Sequence, residues 1–265
     1  MFYTIKDFYD VIDESANFGD SEGWDNTGVL IGSGKNKVKA ALVALDVTPD
    51  VIAEAKRLNA NLIITHHPVI FPYLNSIDSD SPIYELIASN IGVISAHTNL
   101  DKSDFGVNTT LAKALNLTGI KPLQIAENPG FARIGELAEP MQPNQFALFV
   151  KERLMASSVK YTQGSEISHV VVCGGSGGEL WRQARLAGAH ALVTSEVKHH
   201  QLLEAKTAGF TLVDAGHYAT EVTAMASLCD TLSKRLPKAK IALAQSQSDP
   251  AQYVYTERND LLNGI

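Results

Sequence analysis

Cysteine is scarce in this 265-residue chain, which contains only Cys173 and Cys229. These two thiols have neither metal-ligand spacing nor enough partners for a disulfide framework, so the pattern indicates a reducing compartment. Long apolar runs are also missing, and the N-terminal MFYTIKDFYD carries charges where a signal peptide needs apolar residues. These absences favour a soluble, cytoplasmic protein with no membrane partner.

Positive charge is the next deficit, because 22 Lys and Arg face 29 Asp and Glu and leave a formal net charge of −7. The basic residues are scattered, so the electrostatic pattern of a nucleic-acid-binding protein is missing. A small basic groove in an oligomer is the alternative that this composition leaves open. The 45% of apolar and 19% of charged residues are typical of a globular protein with a sizeable core.

Strands and helices are predicted to alternate along the first half of the chain. The apolar run at 39–46 predicts a strand, and Thr48 with Pro49 predicts the capped start of a helix directly after it. Further strands are predicted at 60–65 and 92–96, and further helices at 83–90 and 107–115. Such alternation predicts a largely parallel α/β sheet with helices on both faces.

The second half of the chain repeats the order of the first. NANLIITHHP corresponds to GAHALVTSEV, and GVISAHTNLD corresponds to GFTLVDAGHYATE, each pair following a helix and ending a strand. Two copies exclude a solenoid and favour an internally duplicated α/β protein. The prolines and glycines between residues 123 and 144 mark a junction. We therefore predict two similar α/β lobes, residues 1–125 and 126–265, with mostly parallel sheets covered by helices.

Two adjacent histidines, His66 and His67, follow the apolar run LIIT. Successive side chains of a strand point to opposite faces, so a buried strand has no use for two neighbouring imidazoles. Considered alone, the pair favours a turn at the end of a strand in which one histidine is solvated. The rest of the chain changes this interpretation.

Matched strand ends in the two halves carry further imidazoles and carboxylates. His97 is followed four residues later by Asp101, and His217 is followed four residues later by Glu221. Since side chains at the carboxyl ends of strands meet in one crevice, we expect these residues to face it together with the two adjacent histidines. Imidazole nitrogens and carboxylate oxygens without thiolates suit Zn²⁺, Mn²⁺, Fe or Ni²⁺. Adjacent histidines can each bind a different member of a metal pair that a carboxylate bridges.

Three other segments are weaker candidates. CGGSGG at 173–178 lies between a predicted strand and helix, where a tight turn is favoured over a phosphate site. Glu196 follows a predicted strand and is expected to reach the crevice as a supporting acid. Trp24, Asp25 and Asn26 lie in a loop that either forms a turn or lines the crevice.

These motifs resemble one known family, the NIF-three-like proteins, which often carry the label GTP cyclohydrolase 1 type 2 homolog. The resemblance runs in order through nearly the whole chain, over WDNTGVLIG, ITHHPVIF, AHTNLD, GVN, RIGEL, CGGSGG, TSEV and DAGHYATE. It is closest to the short form of the family, because the junction leaves no room for an inserted domain. The chain departs from the pattern at Ala132, where a glycine before Arg133 is more usual.

The resemblance implies one family domain that spans the chain and binds two divalent transition-metal ions. The ligands that it implies are His66, His67, Asp101, His217 and Glu221, with His97 close by. It also implies a toroidal homohexamer, built as a trimer of dimers, with the metal sites facing an internal cavity.

Two functions follow as hypotheses. The first is a metal-dependent hydrolase of a nucleotide-like substrate, in which the ion pair lowers the pKa of a bridging water toward about 7. In a GTP cyclohydrolase reaction this water would open the imidazole ring of guanine at C8, with His97 or Glu196 transferring protons. The alternative is a non-catalytic metal-binding or regulatory assembly that stores or delivers ions or binds a partner.

Overall fold

The computed structural model describes residues 2–71, 73–124 and 130–254. Two sheets covered by helices confirm the predicted α/β class. The predicted lobe boundary between residues 125 and 126 lies outside the described residues. Within the described ranges, no helix has the length and apolarity needed to cross a membrane.

The helices of the described residues are α1 (Ile5–Ser15), α2 (Pro49–Arg57), α3 (Pro82–Ala88), α4 (Thr98–Lys102), α5 (Val107–Ala114), α6 (Pro143–Arg153), α7 (Trp181–Leu186), α8 (His199–Thr207), α9 (His217–Glu221) and α10 (Thr223–Arg235). The strands are β1 (Gly28–Ile31), β2 (Ala41–Ala44), β3 (Leu62–Thr65), β4 (Gly92–Ser95), β5 (Thr118–Pro122), β6 (Arg133–Met141), β7 (Lys160–Tyr161), β8 (Ile167–Ser176), β9 (Ala191–Ser195), β10 (Thr211–Asp214) and β11 (Ile241–Leu243).

The first sheet has the strand order β1-β4-β3-β2-β11. All its pairs are parallel except the edge pair of β1 with β4. The strands β2, β3 and β4 are buried at every residue, which explains their unbroken apolar sequences. Thr48 caps α2 by accepting a hydrogen bond from the backbone N–H of Val51 at 3.2 Å, and Pro49 begins the helix, as predicted.

The second sheet has the order β5-β6-β8-β9-β10-β7. Its centre, β8, β9 and β10, is parallel, whereas β5, β6 and β7 pair antiparallel. The parallel arrangement predicted for this half therefore holds only for its centre. A parallel pair needs a long crossover, usually a helix, and the short stretch between β5 and β6 suits an antiparallel pair.

Both sheets contain the same unit of three parallel strands joined by helices. In the first half the order is β2-α2-β3-α3-β4, followed by the short helix α4. In the second half the order is β8-α7-β9-α8-β10, followed by the short helix α9. The sequence correspondences noted above therefore match β3 with β9 and β4 with β10.

The C-terminal part of the chain returns to the first sheet. Met225, Leu228 and Leu232 of α10 are buried in the same core cluster as Phe8 of α1. The strand β11 then pairs parallel with β2. This strand was not predicted, because three residues are too short for a periodic pattern. Residues late in the chain thus complete the core of its first half.

Candidate metal centre

The carboxyl ends of strands from both halves meet at one place. In the first half, β3 ends directly before His66 and His67, and β4 is followed by His97. In the second half, β10 leads to His217 and β9 ends directly before Glu196. The rings of His67 and His217 lie 5.2 Å apart between centroids. The strand ends therefore bring these side chains together, as expected for such ends.

Two short helices supply buried carboxylates to the same place. His97 immediately precedes α4, and Asp101 is a buried residue of this helix. His217 and Glu221 are the first and last residues of α9, and Glu221 is buried. Residues four apart lie on the same face of a helix, so the side chains of His217 and Glu221 both point to the centre.

Each of the four histidines has its Nδ1 atom held by an oxygen of the protein. The partners are the backbone oxygen of Ala96 for His66 (2.9 Å), Asp46 for His67 (2.7 Å), Asp25 for His97 (2.9 Å) and Glu196 for His217 (2.8 Å). An Nδ1–H that donates to oxygen leaves Nε2 as the atom with a free lone pair. Histidines that bind metals are oriented in this way by their second nitrogen.

The Nε2 atoms converge on the buried carboxylates. Oε2 of Glu221 lies 3.0 Å from Nε2 of both His67 and His217, while Oε1 lies 3.8 Å from Nε2 of His66. Oδ1 of Asp101 lies 3.7 Å from Nε2 of His66. The two oxygens of Glu221 thus face different histidines, which is the arrangement of a carboxylate able to bridge two cations.

Burial and neighbouring charges shift the pKa values of these groups strongly. Burial, with the nearby Glu221 carboxylate, raises the pKa of Asp101 to about 7. Burial would also raise the pKa of Glu221, but hydrogen bonds from His217 and the other imidazoles hold it well below its usual value. Burial would lower the pKa of His67, but its carboxylate partners raise it to about 10. The hydrogen bond with Glu221 raises the pKa of His217 to about 9. The carboxylates of the site therefore favour positive charge on the imidazoles of His67 and His217.

The residues fit a metal ion of the class that the sequence predicts. Nε2 of His66 and Oδ1 of Asp101 are buried and have no hydrogen-bond partner. Such atoms are costly in a protein interior, and a coordinated cation would satisfy both. Two groups offer ligand atoms within 4.8 Å of one another, namely His66, His67 and His97, and His67, His217 and Glu221. Nitrogen and oxygen donors without thiolates suit Zn²⁺, Mn²⁺, Fe or Ni²⁺.

The two residues predicted to transfer protons occupy different positions. The ring of His97 lies 5.0 Å from that of His66, among the candidate ligands. Glu196 instead contacts the outer nitrogen of His217, and it does so with a positive φ of 53°. Hydrogen bonds from His97 and Thr98 outweigh burial and lower the pKa of Asp25 to about 2. Asp25 is thus an ionised partner of His97.

Sequence reasoning missed three residues that support the centre. Asp46 lies just after β2, so the rule used for the other strand ends could have found it. The side-chain amide of Asn108 donates to the backbone oxygen of Asp101 (3.2 Å) and accepts from the backbone N–H of Gly174 (2.7 Å). Buried Arg133 donates to the carbonyl oxygen of Lys102, the last residue of α4, and to that of Ser103. Asn108 and Arg133 lie in the motifs GVN and RIGEL, but their contacts join distant segments, so the motifs alone did not indicate what these side chains bind.

Comparisons with known proteins show which family this chain resembles in sequence and in fold. The sequence model of a family described as Duf34/NIF3 (NGG1p interacting factor 3) matches residues 3–250. The GTP cyclohydrolase 1 type 2 homolog of Clostridium acetobutylicum is 30% identical over 267 residues, which cover 96% of this chain and 100% of that protein. NIF3-like protein 1 of Drosophila melanogaster is 30% identical and covers 96% of this chain and 92% of its own. The crystal structure of Staphylococcus aureus hypothetical protein SA1388 matches with a TM-score of 0.89 and 29% identity, covering 96% and 100% of the two chains.

Proposed function

The chain belongs to the Duf34/NIF3 family, and we propose that it is a metal-dependent hydrolase. We propose that it binds two divalent transition-metal ions and acts on a nucleotide-like substrate. The observation that carries the proposal is the convergence of imidazole Nε2 atoms on two buried carboxylates, Asp101 and Glu221. The nucleotide part rests on the name that relatives carry, GTP cyclohydrolase 1 type 2 homolog.

The proposed ligands are His66, His67, Asp101, His217 and Glu221, with His97 beside them. Glu221 suits the bridging position because its two oxygens face different imidazoles. A bound ion pair would lower the pKa of a shared water toward about 7 and polarise the bond under attack. The chain's own part is to hold the donors in place and to move protons.

Glu196 and His97 are the proposed groups for proton transfer. Oε1 of Glu196 lies 2.8 Å from Nδ1 of His217, and the Glu196 side chain is 57% exposed. This contact places an exposed carboxylate on the outer side of a proposed ligand, from which it can exchange protons with bulk water. His97 instead lies among the candidate ligands, and ionised Asp25 holds its Nδ1. Its Nε2 is the atom that would bind or release a proton.

Two exposed aromatic rings beside the centre support the proposal that the substrate contains a flat ring. Trp24 is 61% exposed and Phe71 is 52% exposed. The Trp24 ring lies 6.3 Å from His97 and 6.1 Å from Phe71 between centroids. The side-chain amide of Asn26 donates to the backbone oxygen of Ile70 at 2.8 Å and joins the two loops. Aromatic rings at such a position can stack on a nucleobase.

The toroidal homohexamer and the cytoplasmic location are further proposals. Exposed Tyr73, Leu74 and Ile77 form an apolar stretch after the histidine pair, and such stretches are typical of contact surfaces between proteins. Light scattering tests the assembly, and a mass near the 28.6 kDa of one chain at micromolar concentration would contradict it.

Turnover of a nucleotide panel with Mn²⁺, Zn²⁺ or Fe²⁺ tests the enzymatic proposal. The matched control is Asp101→Ala, which removes one proposed ligand. Metal-dependent turnover that this variant loses is the expected result. Metal binding without turnover of any nucleotide would instead favour the alternative, a non-catalytic metal-binding or regulatory assembly. Failure to bind metal would contradict both.

A further inference from the structure

Gly175 lies against the carboxylate of Glu221. It belongs to the glycine-rich end of β8 and has a positive φ of 61°. A Cβ atom added to Gly175 would lie 2.3 Å from Oε1 of Glu221 and 3.3 Å from Nε2 of His217. Residues 173–176 of the CGGSGG segment therefore continue β8 instead of forming the tight turn expected from the sequence, and Gly175 forms a wall of the candidate metal centre.

We propose that Gly175 is a positioning residue of the metal centre, because the absence of its side chain leaves the volume in which the Glu221 carboxylate lies. The inference rests on the proposed metal-binding function and adds a residue that contributes no ligand atom. Its role is steric, since a methyl group at this position and the observed carboxylate cannot coexist.

The backbone at Gly175 is anchored and cannot move aside easily. Its carbonyl oxygen accepts hydrogen bonds from the hydroxyls of Thr194 (3.0 Å) and Ser195 (2.6 Å). Its N–H donates to the hydroxyl of Thr220 at 3.1 Å. The Glu221 carboxylate is by contrast the far end of a flexible side chain, contacted by the imidazoles of His67 and His217. A substitution at Gly175 is therefore expected to displace the carboxylate and to leave the backbone in place.

The neighbouring Gly174 shows why the position matters. A Cβ atom at Gly174 would lie 2.5 Å from Cγ1 of Val107, a fully buried core residue. A substitution there would disturb core packing as well as the site. At Gly175 the severe overlap is with a ligand oxygen, so the effect of a substitution falls on the metal centre.

Gly209 offers a matched control for the backbone strain of an alanine at positive φ. Its φ is 65°, close to the 61° of Gly175, and an added Cβ atom meets nothing within 4 Å. Both substitutions place alanine in the same unfavourable backbone region. Only Gly175→Ala adds a side chain beside Glu221.

The experiment measures Mn²⁺ and Zn²⁺ affinity by calorimetry, and urea unfolding of the metal-free protein, for wild type, Gly175→Ala and Gly209→Ala. We expect the two variants to unfold at similar urea concentrations. Metal affinity should fall by about 10–100-fold in Gly175→Ala, as when groups that orient ligands are lost, and stay at the wild-type value in Gly209→Ala. Equal affinities of the two variants would overturn the inference, as would a metal-free Gly175→Ala that no longer folds.

Glu221→Asp provides a second test, because its shorter side chain withdraws the carboxylate from Gly175. Adding Gly175→Ala to Glu221→Asp should lower metal affinity by much less than it does in wild type. The same loss in both backgrounds would mean that the effect does not pass through this carboxylate. Wild-type protein that binds no metal would contradict the proposed function itself, whereas normal binding by both wild type and Gly175→Ala would contradict only the role of Gly175.

Discussion

Oε2 of Glu221 lies 3.0 Å from Nε2 of His217, the residue one turn before it in α9. The matching helix of the first half, α4, is arranged differently, because its Asp101 faces His66 at 3.7 Å. The two halves therefore share an order of elements and present different donor pairs. In the second half, the two oxygens of Glu221 thus face histidines from both halves.

Glu221→Gln is expected to lose more metal affinity than His97→Ala. Glutamine keeps the shape of the side chain but lacks the charge that would hold two cations together. His97 is one of four imidazoles, and its loss leaves the other donors in place. Losses of orienting groups weaken metal affinity by about 10–100-fold, and we expect a larger factor for Glu221→Gln. Metal titrations in which His97→Ala binds equally or more weakly would make His97 a principal ligand.

Metal binding is expected to strengthen as the pH rises from about 6 to about 9, because protons compete with the ions for the imidazoles. The raised pKa values of His67, about 10, and His217, about 9, mean that these groups hold protons at neutral pH without metal. Below those values a metal must displace protons, and acid should release it. Calorimetry in buffers of different ionisation enthalpy measures the displaced protons, and binding without any proton release would contradict the assignment.

Elemental analysis of the reconstituted protein should find about two ions per chain.

Trp24→Ala is expected to weaken nucleotide binding while leaving the metal content unchanged. Stacking of a base on an aromatic ring contributes about 1–3 kcal/mol, and the exposed Trp24 ring lies 6.3 Å from that of His97 between centroids. Equilibrium binding of a nucleotide to the metal-loaded protein measures the change. Tyr161→Ala, which removes an exposed aromatic ring from the edge strand β7, is the control. Equal effects of the two substitutions would remove Trp24 from the substrate site.

The candidate site was largely predictable because its signals are local. His66, His67, His97 and His217 each follow a recognisable strand, and parallel strand ends share one edge of a sheet. The return of α10 and β11 to the first sheet could not be predicted in the same way, since it depends on packing against residues far away in sequence. For the same reason, CGGSGG was interpreted as a tight turn, although its first four residues continue β8, and its contact with Glu221 could not be foreseen.

Arg133→Met is expected to destabilise the fold by about 3 kcal/mol or more. The guanidinium is 1% exposed and donates to the carbonyl oxygens of Lys102 (2.7 Å) and Ser103 (2.9 Å) at the end of α4. Burial lowers the pKa of Arg133, so the buried cation depends on these acceptors. Methionine fills the space but leaves the acceptors without a donor.

Arg153→Met is the control for this substitution. Arg153 also donates to a backbone oxygen, that of Ala114 at 2.7 Å, but this contact is exposed to solvent. Water can replace it, and we expect a loss within about 1 kcal/mol. Urea unfolding of both variants measures the difference, and similar losses would show that burial of Arg133 does not matter.

Glu54→Gln is expected to loosen the attachment of the C-terminal segment, residues 244–254 after β11, to α2. We expect this effect to depend on pH. Glu54 is 3% exposed. Its carboxylate accepts hydrogen bonds from the backbone N–H groups of Gln245 (3.0 Å) and Ser246 (2.9 Å) and from the Ser246 hydroxyl (2.6 Å). Burial would raise the pKa of Glu54, but these hydrogen bonds lower it below its ordinary value of 4.5.

The sign of the pH dependence follows from this lowered pKa. A carboxyl group whose pKa is lower in the folded state stabilises the fold above its unfolded pKa, and this contribution is lost as the pH falls through the folded pKa. The free energy of unfolding of the wild type should therefore exceed that of Glu54→Gln by about 1–3 kcal/mol near pH 7. This difference should shrink below about pH 4.5. Urea unfolding of the metal-free proteins across this range measures it. Glu85→Gln, which breaks an exposed ion pair with Lys56, should change stability by less than about 1 kcal/mol. A Glu54→Gln difference that stays constant down to acid pH would mean that packing, and not the ionised carboxylate, holds the C-terminal segment.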